Sequence, residues 1–214
     1  MPTKKQILKK PGNRQAAYMA RNRAALIKAG QEVLADLGPG ATIEQLASHA
    51  QVSPTTIYKY FSSKEVLFSE AISEMYQEWI IWAYNGAPPG GSLETTLDTG
   101  RKLFWVKQSH PLFAKILHNT LRDPSFLIAA NRIGAEAVFK NYAKLGILAN
   151  DDFDKRFILW SYCYVGILTS VHLTGELSPT QAEESLGLAL SIWGLSEAKA
   201  KKMMARPLVF GTVE

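Results

Sequence analysis

Between Thr42 and Leu67 the apolar positions break and restart their helical spacing twice, and each restart is marked by a capping residue. Ile43, Leu46, Ala47 and Ala50 recur at i, i+3, i+4 and i+7, the buried stripe of a helix of about two turns. Thr42 followed by Gln45 is a capping box for its start. Ser53-Pro54 begins a second helix, because Ser is a preferred N-cap and Pro loses nothing at the first helical position. In that helix Ile57 and Phe61 are predicted to point inward, leaving Thr55, Thr56, Tyr58, Lys59 and Tyr60 outside. Ser62 with Glu65 reads as another capping box, opening a long helix at Lys64.

The rest of the chain repeats the helical period. Residues 63–84 carry Leu67, Phe68, Ala71, Ile72, Met75, Trp79, Ile80 and Trp82, a face too broad for a surface helix. That helix is expected to join two domains and touch both. Residues 85–92, NGAPPGGS, are turn and linker chemistry. Further helices are predicted over 92–109, 111–121, 124–145, 152–174 and 179–194, with a basic tail helix near 196–205. Asp123-Pro124 and Ser178-Pro179 repeat the start signal, Ser178 with Gln181 is a further capping box, and Gly146 and Gly175 read as stops. No alternating strand pattern and no internal repeat is present, so an all-α fold is expected.

Chemistry concentrates on the first unit. A helix from Pro54 to about Tyr60 is roughly 10 Å long at 1.5 Å per residue, and fits a major groove about 12 Å wide. Its outward hydroxyls suit phosphate oxygens, Lys59 and Lys64 supply charge, and the helix N-terminus offers free amides. The candidate DNA contacts are Thr42, Ser53, Pro54, Thr55, Thr56, Tyr58, Lys59, Tyr60 and Lys64. Net charge reinforces this reading. Of 24 basic side chains eight lie within residues 1–30, which hold no Asp or Glu, whereas residues 31–214 sum to −3. The positive excess is therefore an N-terminal arm, suited to lie along phosphates or reach a minor groove, or else simply to solubilise.

From Arg23 to Phe68 the chain resembles the DNA-binding domain of the tetracycline-repressor (TetR) family of bacterial regulators. The resemblance rests on Leu26, Ile27, Val33-Leu34 before Gly38, Ala41-Thr42-Ile43, Leu46-Ala47, Val52-Ser53, Ile57-Tyr58-Lys59-Tyr60-Phe61, Ser63-Lys64-Glu65 and Leu67. It covers about a fifth of the chain. It implies a helix-turn-helix domain followed by a larger helical ligand-binding and dimerisation domain. The expected layout is a flexible basic arm over 1–14, the helix-turn-helix domain over 15–62 and the C-terminal domain over 63–214. Two positions depart from the family pattern. Gln51 stands where the turn usually has Gly, at a cost of about 1 kcal/mol if φ is positive there. Gly30 stands where Ala is usual and would weaken the first helix by about as much.

Two roles are expected of residues 63–214. Helix 152–174 with Cys163, Ile167, Ser170 and Val171, and helix 179–194 with Leu186, Ala189, Leu190 and Trp193, suit a four-helix interface with a second copy. A two-fold pair doubles the contacts that one short helix makes on a pseudo-palindromic operator. The alternative is that these stripes face only the protomer's own core. The second role is sensing. All five Trp residues lie beyond the helix-turn-helix. Trp79, Trp82, Phe104, Trp105, His118, Asn119, Phe139, Tyr142, Trp160 and Tyr164 are candidate lining for an apolar or aromatic effector, or else ordinary core. Arg132 is placed to pair with Glu136 at i, i+4.

Several classes are disfavoured. There is no G-x-S-x-G elbow, P-loop or dinucleotide fingerprint, and the four His residues lack ligand spacing, so no enzyme activity, cofactor or metal is expected. A single cysteine, Cys163, excludes an intramolecular disulfide and suits a reducing compartment. No signal peptide is visible and no apolar run is long enough for a bilayer, so a cytoplasmic protein is expected. The sequence thus points to a homodimeric transcriptional regulator, a repressor, that binds a double-stranded operator and is released by a small molecule. A ligand-independent helical DNA-organising protein and a small-molecule carrier are the competing readings.

Overall fold

The computed structural model describes residues 12–84 and 91–210, and all regular structure among them is helical. The expected linker residues 85–90 and arm residues 1–11 lie outside the described residues. Helix α1 (Gly12–Leu37) starts inside the span expected to be arm. Residues 14–21 are exposed on every side, whereas Leu26, Ile27, Val33 and Leu34 are buried. The basic start of α1 is thus a helical extension standing off the domain.

α2 (Ile43–His49) begins with the predicted capping box: Thr42 Oγ1 accepts from the Gln45 amide at 3.2 Å, and Gln45 Oε1 accepts from the Thr42 amide at 2.7 Å. α3 (Pro54–Tyr58) starts after Ser53, whose hydroxyl accepts from the Thr56 amide at 3.2 Å. α4 (Lys64–Ala83) is capped by Ser63 and not by the expected Ser62: Ser63 Oγ accepts from the Val66 amide at 3.3 Å. Val66 occupies the third helical position, so the reciprocal half of a capping box is missing. In the turn between α2 and α3, Gln51 takes φ +54°, a left-handed conformation, so the condition for its backbone cost is met.

Gly30 has a different role from the one expected. A Cβ there would lie 2.4 Å from Leu67 Cδ2 and 3.4 Å from Ala71 Cβ, so Gly30 is what lets α1 cross closely over α4. The packing gain offsets the helix-propensity cost of about 1 kcal/mol.

The C-terminal domain comprises α5 (Leu93–Leu103), α6 (Val106–Ser109), α7 (Pro111–Thr120), α8 (Pro124–Lys144), α9 (Phe153–His172), α10 (Pro179–Ala189), a 3₁₀ turn (Leu190–Trp193) and α11 (Glu197–Met204). The Ser178 capping box and the left-handed stops at Gly146 (φ +71°) and Gly175 (φ +72°) appear where the sequence puts them. The helix expected over 92–109 is broken between α5 and α6. The two aromatics at the break have different anchors: Phe104 packs on Tyr164, ring centroids 6.0 Å apart, and Trp105 Nε1 donates to Glu183 Oε1 at 2.8 Å. α9 packs between α8 and α10, and α7 lies against α1. Buried Arg101 on α5 ties the layers together, donating to Asp98, to Glu183 on α10 and to the Met204 carbonyl at the end of α11. No helix among the described residues is long and apolar enough to cross a membrane.

Candidate nucleic-acid interface

The reading unit is built around three fully buried side chains, Leu46 of α2, Ile57 of α3 and Leu67 of α4. With Ile57 and Phe61 inward, Thr55, Tyr58 and Lys59 are left exposed on α3, joined by exposed Thr42 and Ser53 and by half-buried Pro54 and Thr56. Tyr58 retains 53% of its surface, which for an aromatic on a five-residue helix leaves it unpartnered by the fold. The Thr56 hydroxyl lies 2.9 Å from Ser53 Oγ, so it is already oriented by the cap.

Two of the expected contacts have structural partners. Tyr60 turns back to α1, where its hydroxyl accepts from Asn22 Nδ2 at 3.0 Å and keeps only its own proton to offer outward. Lys64 does not extend from the surface. Its ammonium donates to the carbonyls of Ala41 at 2.8 Å and Pro39 at 3.4 Å and lies over the Phe68 ring, fastening the loop between α1 and α2 onto α4. Arg23 is likewise engaged, paired with Glu70 and stacked 4.8 Å above Phe61. Among the described residues, Lys59 is an exposed basic side chain on α3, and Arg14, Arg21 and Lys28 are exposed along α1. His49 is exposed and meets Glu32 at 2.7 Å.

The candidate sensor residues do not form one pocket. Trp79 packs on Tyr76 and Phe113, with its indole N–H buried and unpartnered. Phe104, Tyr164, Trp160 and Phe139 form a chain of touching rings ending on Trp193. The Tyr164 hydroxyl donates to the Gly100 carbonyl at 3.0 Å, and that of Tyr142 meets Thr96 at 2.9 Å. Trp82 and Trp105 form a third group near His110 and Phe210. The two expected polar handles are fasteners: His118 Nδ1 donates to the His172 carbonyl at 2.7 Å, and Asn119 donates to the carbonyls of Leu34 and Ala35. Two surface clefts, of ≈ 530 Å³ beside Glu44 and His49 and ≈ 130 Å³ beside Lys64 and Phe68, are lined by none of these candidates. Arg132 and Glu136 pair at 2.8 Å as expected.

The residues expected to face a second copy lie in or beside the protomer's own core. Ile167, Leu186, Ala189, Leu190 and Trp193 are buried in the protomer's own core, and Cys163, Ser170 and Val171 are half-buried beside it. The outward apolar residues are Ile158, Leu159 and Tyr162 on α9 and Leu188 on α10. α9 is apolar on more than one face, and its larger, more continuous stripe went inward. The sign of a second stripe was available in Ile158, Leu159, Tyr162 and Gly166, spaced as one helical row, and sequence reasoning missed it.

A short exposed helix set by a capped partner helix, carried on a long helix into a larger all-α domain, defines a helix-turn-helix transcriptional regulator. Residues 26–71 match the family described as bacterial regulatory proteins, tetR family, in its DNA-binding domain. Solved structures share the fold over nearly the whole length. RolR in complex with resorcinol aligns with a TM-score of 0.65 and 16% identity, covering 91% of this chain and 98% of that one. A TetR family transcription regulator from Marinobacter aquaeolei VT8 gives 0.55 and 18%, over 84% and 97%. A TetR-family regulator from Streptomyces coelicolor A3 gives 0.54 and 17%, over 82% and 96%. No curated protein matches the chain.

Proposed function

We propose that this regulator is a cytoplasmic repressor that binds a pseudo-palindromic operator as a homodimer and is released by a small aromatic or apolar molecule. The observation that carries the DNA reading is the outward set Thr55, Tyr58 and Lys59 on α3, with Thr42 and Ser53 at the adjacent helix starts. Thr55 and Thr56 are assigned to base edges, and Tyr58, Lys59 and the capped N-termini to phosphates. Support for pairing comes from the apolar row of α9 and α10, where Leu159, Tyr162 and Leu188 retain 60%, 61% and 73% of their surface. Large apolar side chains exposed together on adjacent helices favour a partner surface. Support for a small-molecule signal comes from the aromatic content of the C-terminal domain and from the likeness in fold to RolR, a protein solved with resorcinol. A ligand acts here by preferring the arrangement in which the two reading helices no longer match adjacent grooves.

The test is selection of bound sequences from random duplex DNA, followed by sedimentation of the complex. A two-fold symmetric site bound by two copies is the expected result, with Tyr162→Glu monomeric and more than about 10²-fold weaker, as loss of the second half-site requires. Recovery of no sequence preference, at unchanged salt-sensitive binding, would favour the DNA-organising reading instead.

A further inference from the structure

We propose that Trp82 and His110, at the C-terminal end of α4, form the seat of a hydroxyl-bearing aromatic molecule, and that the chain's own Phe210 occupies that seat in its absence. This rests on reading the C-terminal domain as a sensor and names the chemistry of the signal. The two rings meet edge to face, centroids 4.9 Å apart. Trp82 Nε1 and His110 Nδ1 are both buried and neither has a hydrogen-bond partner. Groups left in that state destabilise a fold unless something else satisfies them.

The pair specifies its complement. An indole N–H can only donate, whereas a neutral imidazole with its proton on Nε2 offers Nδ1 as an acceptor. Burial pushes the His110 titration down, which keeps the ring neutral. One hydroxyl serves both nitrogens, accepting from Trp82 and donating to His110. A carboxylate or ketone accepts only and leaves His110 unmet in that tautomer. An ammonium donates only and leaves Trp82 unmet.

The seat already holds a benzene ring. Phe210 lies 5.9 Å from Trp82 and 6.3 Å from Trp105, centroid to centroid, with 44% of its surface exposed. Phenylalanine is the phenolic ring without its hydroxyl, so it lies against the two indoles and can satisfy neither nitrogen. Its segment is poised to move. Residues 207–210 have no regular structure, and the anchors that hold the tail lie earlier, at Met204 through Arg101 and at Arg206 through Asp98. Trp82 is also well placed for signalling, because α4 runs from Ser63 in the reading unit to this seat.

The experiment measures binding of resorcinol, and of its dimethyl ether, to the full chain by calorimetry without DNA. The dimethyl ether keeps the ring and the acceptors and loses the donor. Phe210→Ala is expected to bind resorcinol about tenfold more tightly than the parent chain, with the ether weaker by a similar factor. In the Phe210→Ala background, Trp82→Phe and His110→Phe should each abolish the preference for resorcinol over the ether. Equal affinity in the parent and Phe210→Ala, undetectable binding in both, or an unchanged preference in the Trp82 and His110 variants would overturn the proposal. Operator binding by the same samples confirms folding and is scored separately. A regulator that binds DNA but ignores resorcinol loses this seat and keeps its function, while one that binds resorcinol but no DNA does the reverse.

Discussion

Asn119 on α7 donates its side-chain amide to the carbonyls of Leu34 at 3.2 Å and Ala35 at 2.9 Å, the last turn of α1. The preceding residue, His118, holds the other domain layer through the His172 carbonyl of α9. Adjacent positions on one helix thus fasten the C-terminal core and the DNA-binding domain. The last carbonyls of a helix lack donors within it, and Asn119 supplies one to Ala35 and a second to Leu34, which also accepts from the Gly38 amide at 3.1 Å. Asn119→Ala is expected to destabilise the protein by about 1–3 kcal/mol, read as a lower urea midpoint. It should leave operator affinity within about threefold while weakening the effect of any releasing ligand, because it cuts the link between layers rather than the reading face. A variant of parental stability would show that the bridge carries nothing.

Lys59 and Lys64 are expected to behave differently on DNA. Lys59 is exposed on α3, so Lys59→Ala should lower operator affinity and reduce the slope of log affinity against log salt by about 1. Lys64 spends its ammonium on the Ala41 and Pro39 carbonyls. Lys64→Ala should therefore cost about 1–2 kcal/mol of stability and leave the salt slope nearly unchanged. Equal slopes for the two variants would return Lys64 to the DNA surface.

Gly30→Ala sets helix propensity against packing. Alanine gains at most about 1 kcal/mol in a helix interior. Its Cβ would meet Leu67 Cδ2 at 2.4 Å, and Leu67 is 0% exposed, so the side chain has nowhere to swing. Overpacking costs about 1–3 kcal/mol. A net loss of stability is predicted, measured by thermal melting of the free protein, and a gain would mean that α1 slides on α4 at little cost.

Gln51→Gly should have the opposite sign. Gln51 holds φ +54° in the turn, a conformation open to glycine without a Cβ penalty. Stability should rise by about 0.5–1 kcal/mol, with operator affinity unchanged, and denaturant unfolding of the pair decides it.

Acid should loosen the C-terminal domain before it discharges the carboxylates. Burial pushes the His172 titration below its ordinary 6.5, against the Leu103 carbonyl that holds its Nε2 proton, with His118 and Lys107 repelling the charged form. His110 is lowered by burial as well. The unfolded chain then binds protons that the folded one refuses, so stability is lost as pH falls below 6.5 towards the folded values. Each imidazole contributes a slope of at most about 1.4 kcal/mol per pH unit. Unfolding titrations between pH 7 and 5 should show the decline, and His172→Asn should flatten it.

The helix-turn-helix was legible because its information is local. Thr42 with Gln45, Ser53 with Pro54, and the spacing of Leu46, Ile57 and Phe61 specify caps and an inward face within a few residues. The positive φ of Gln51, which the sequence left conditional, is a feature of the turn itself. The all-α class and the limits of most C-terminal helices came from the same short-range rules of capping, period and glycine stops.

What lay beyond the sequence was decided by partners far along the chain. Lys64 is a phosphate ligand by composition and a loop fastener by position, because the carbonyls of Pro39 and Ala41 come to it only when α1 crosses α4. Asn119 is drawn to α1, 84 residues away, and Phe210 to Trp82 and Trp105. On α9 the sequence supplied two apolar rows, and only packing against α8 and α10 decided which of them turned inward. Periodicity fixes which residues share a face of a helix, but the direction of that face is set by the surfaces it meets in three dimensions.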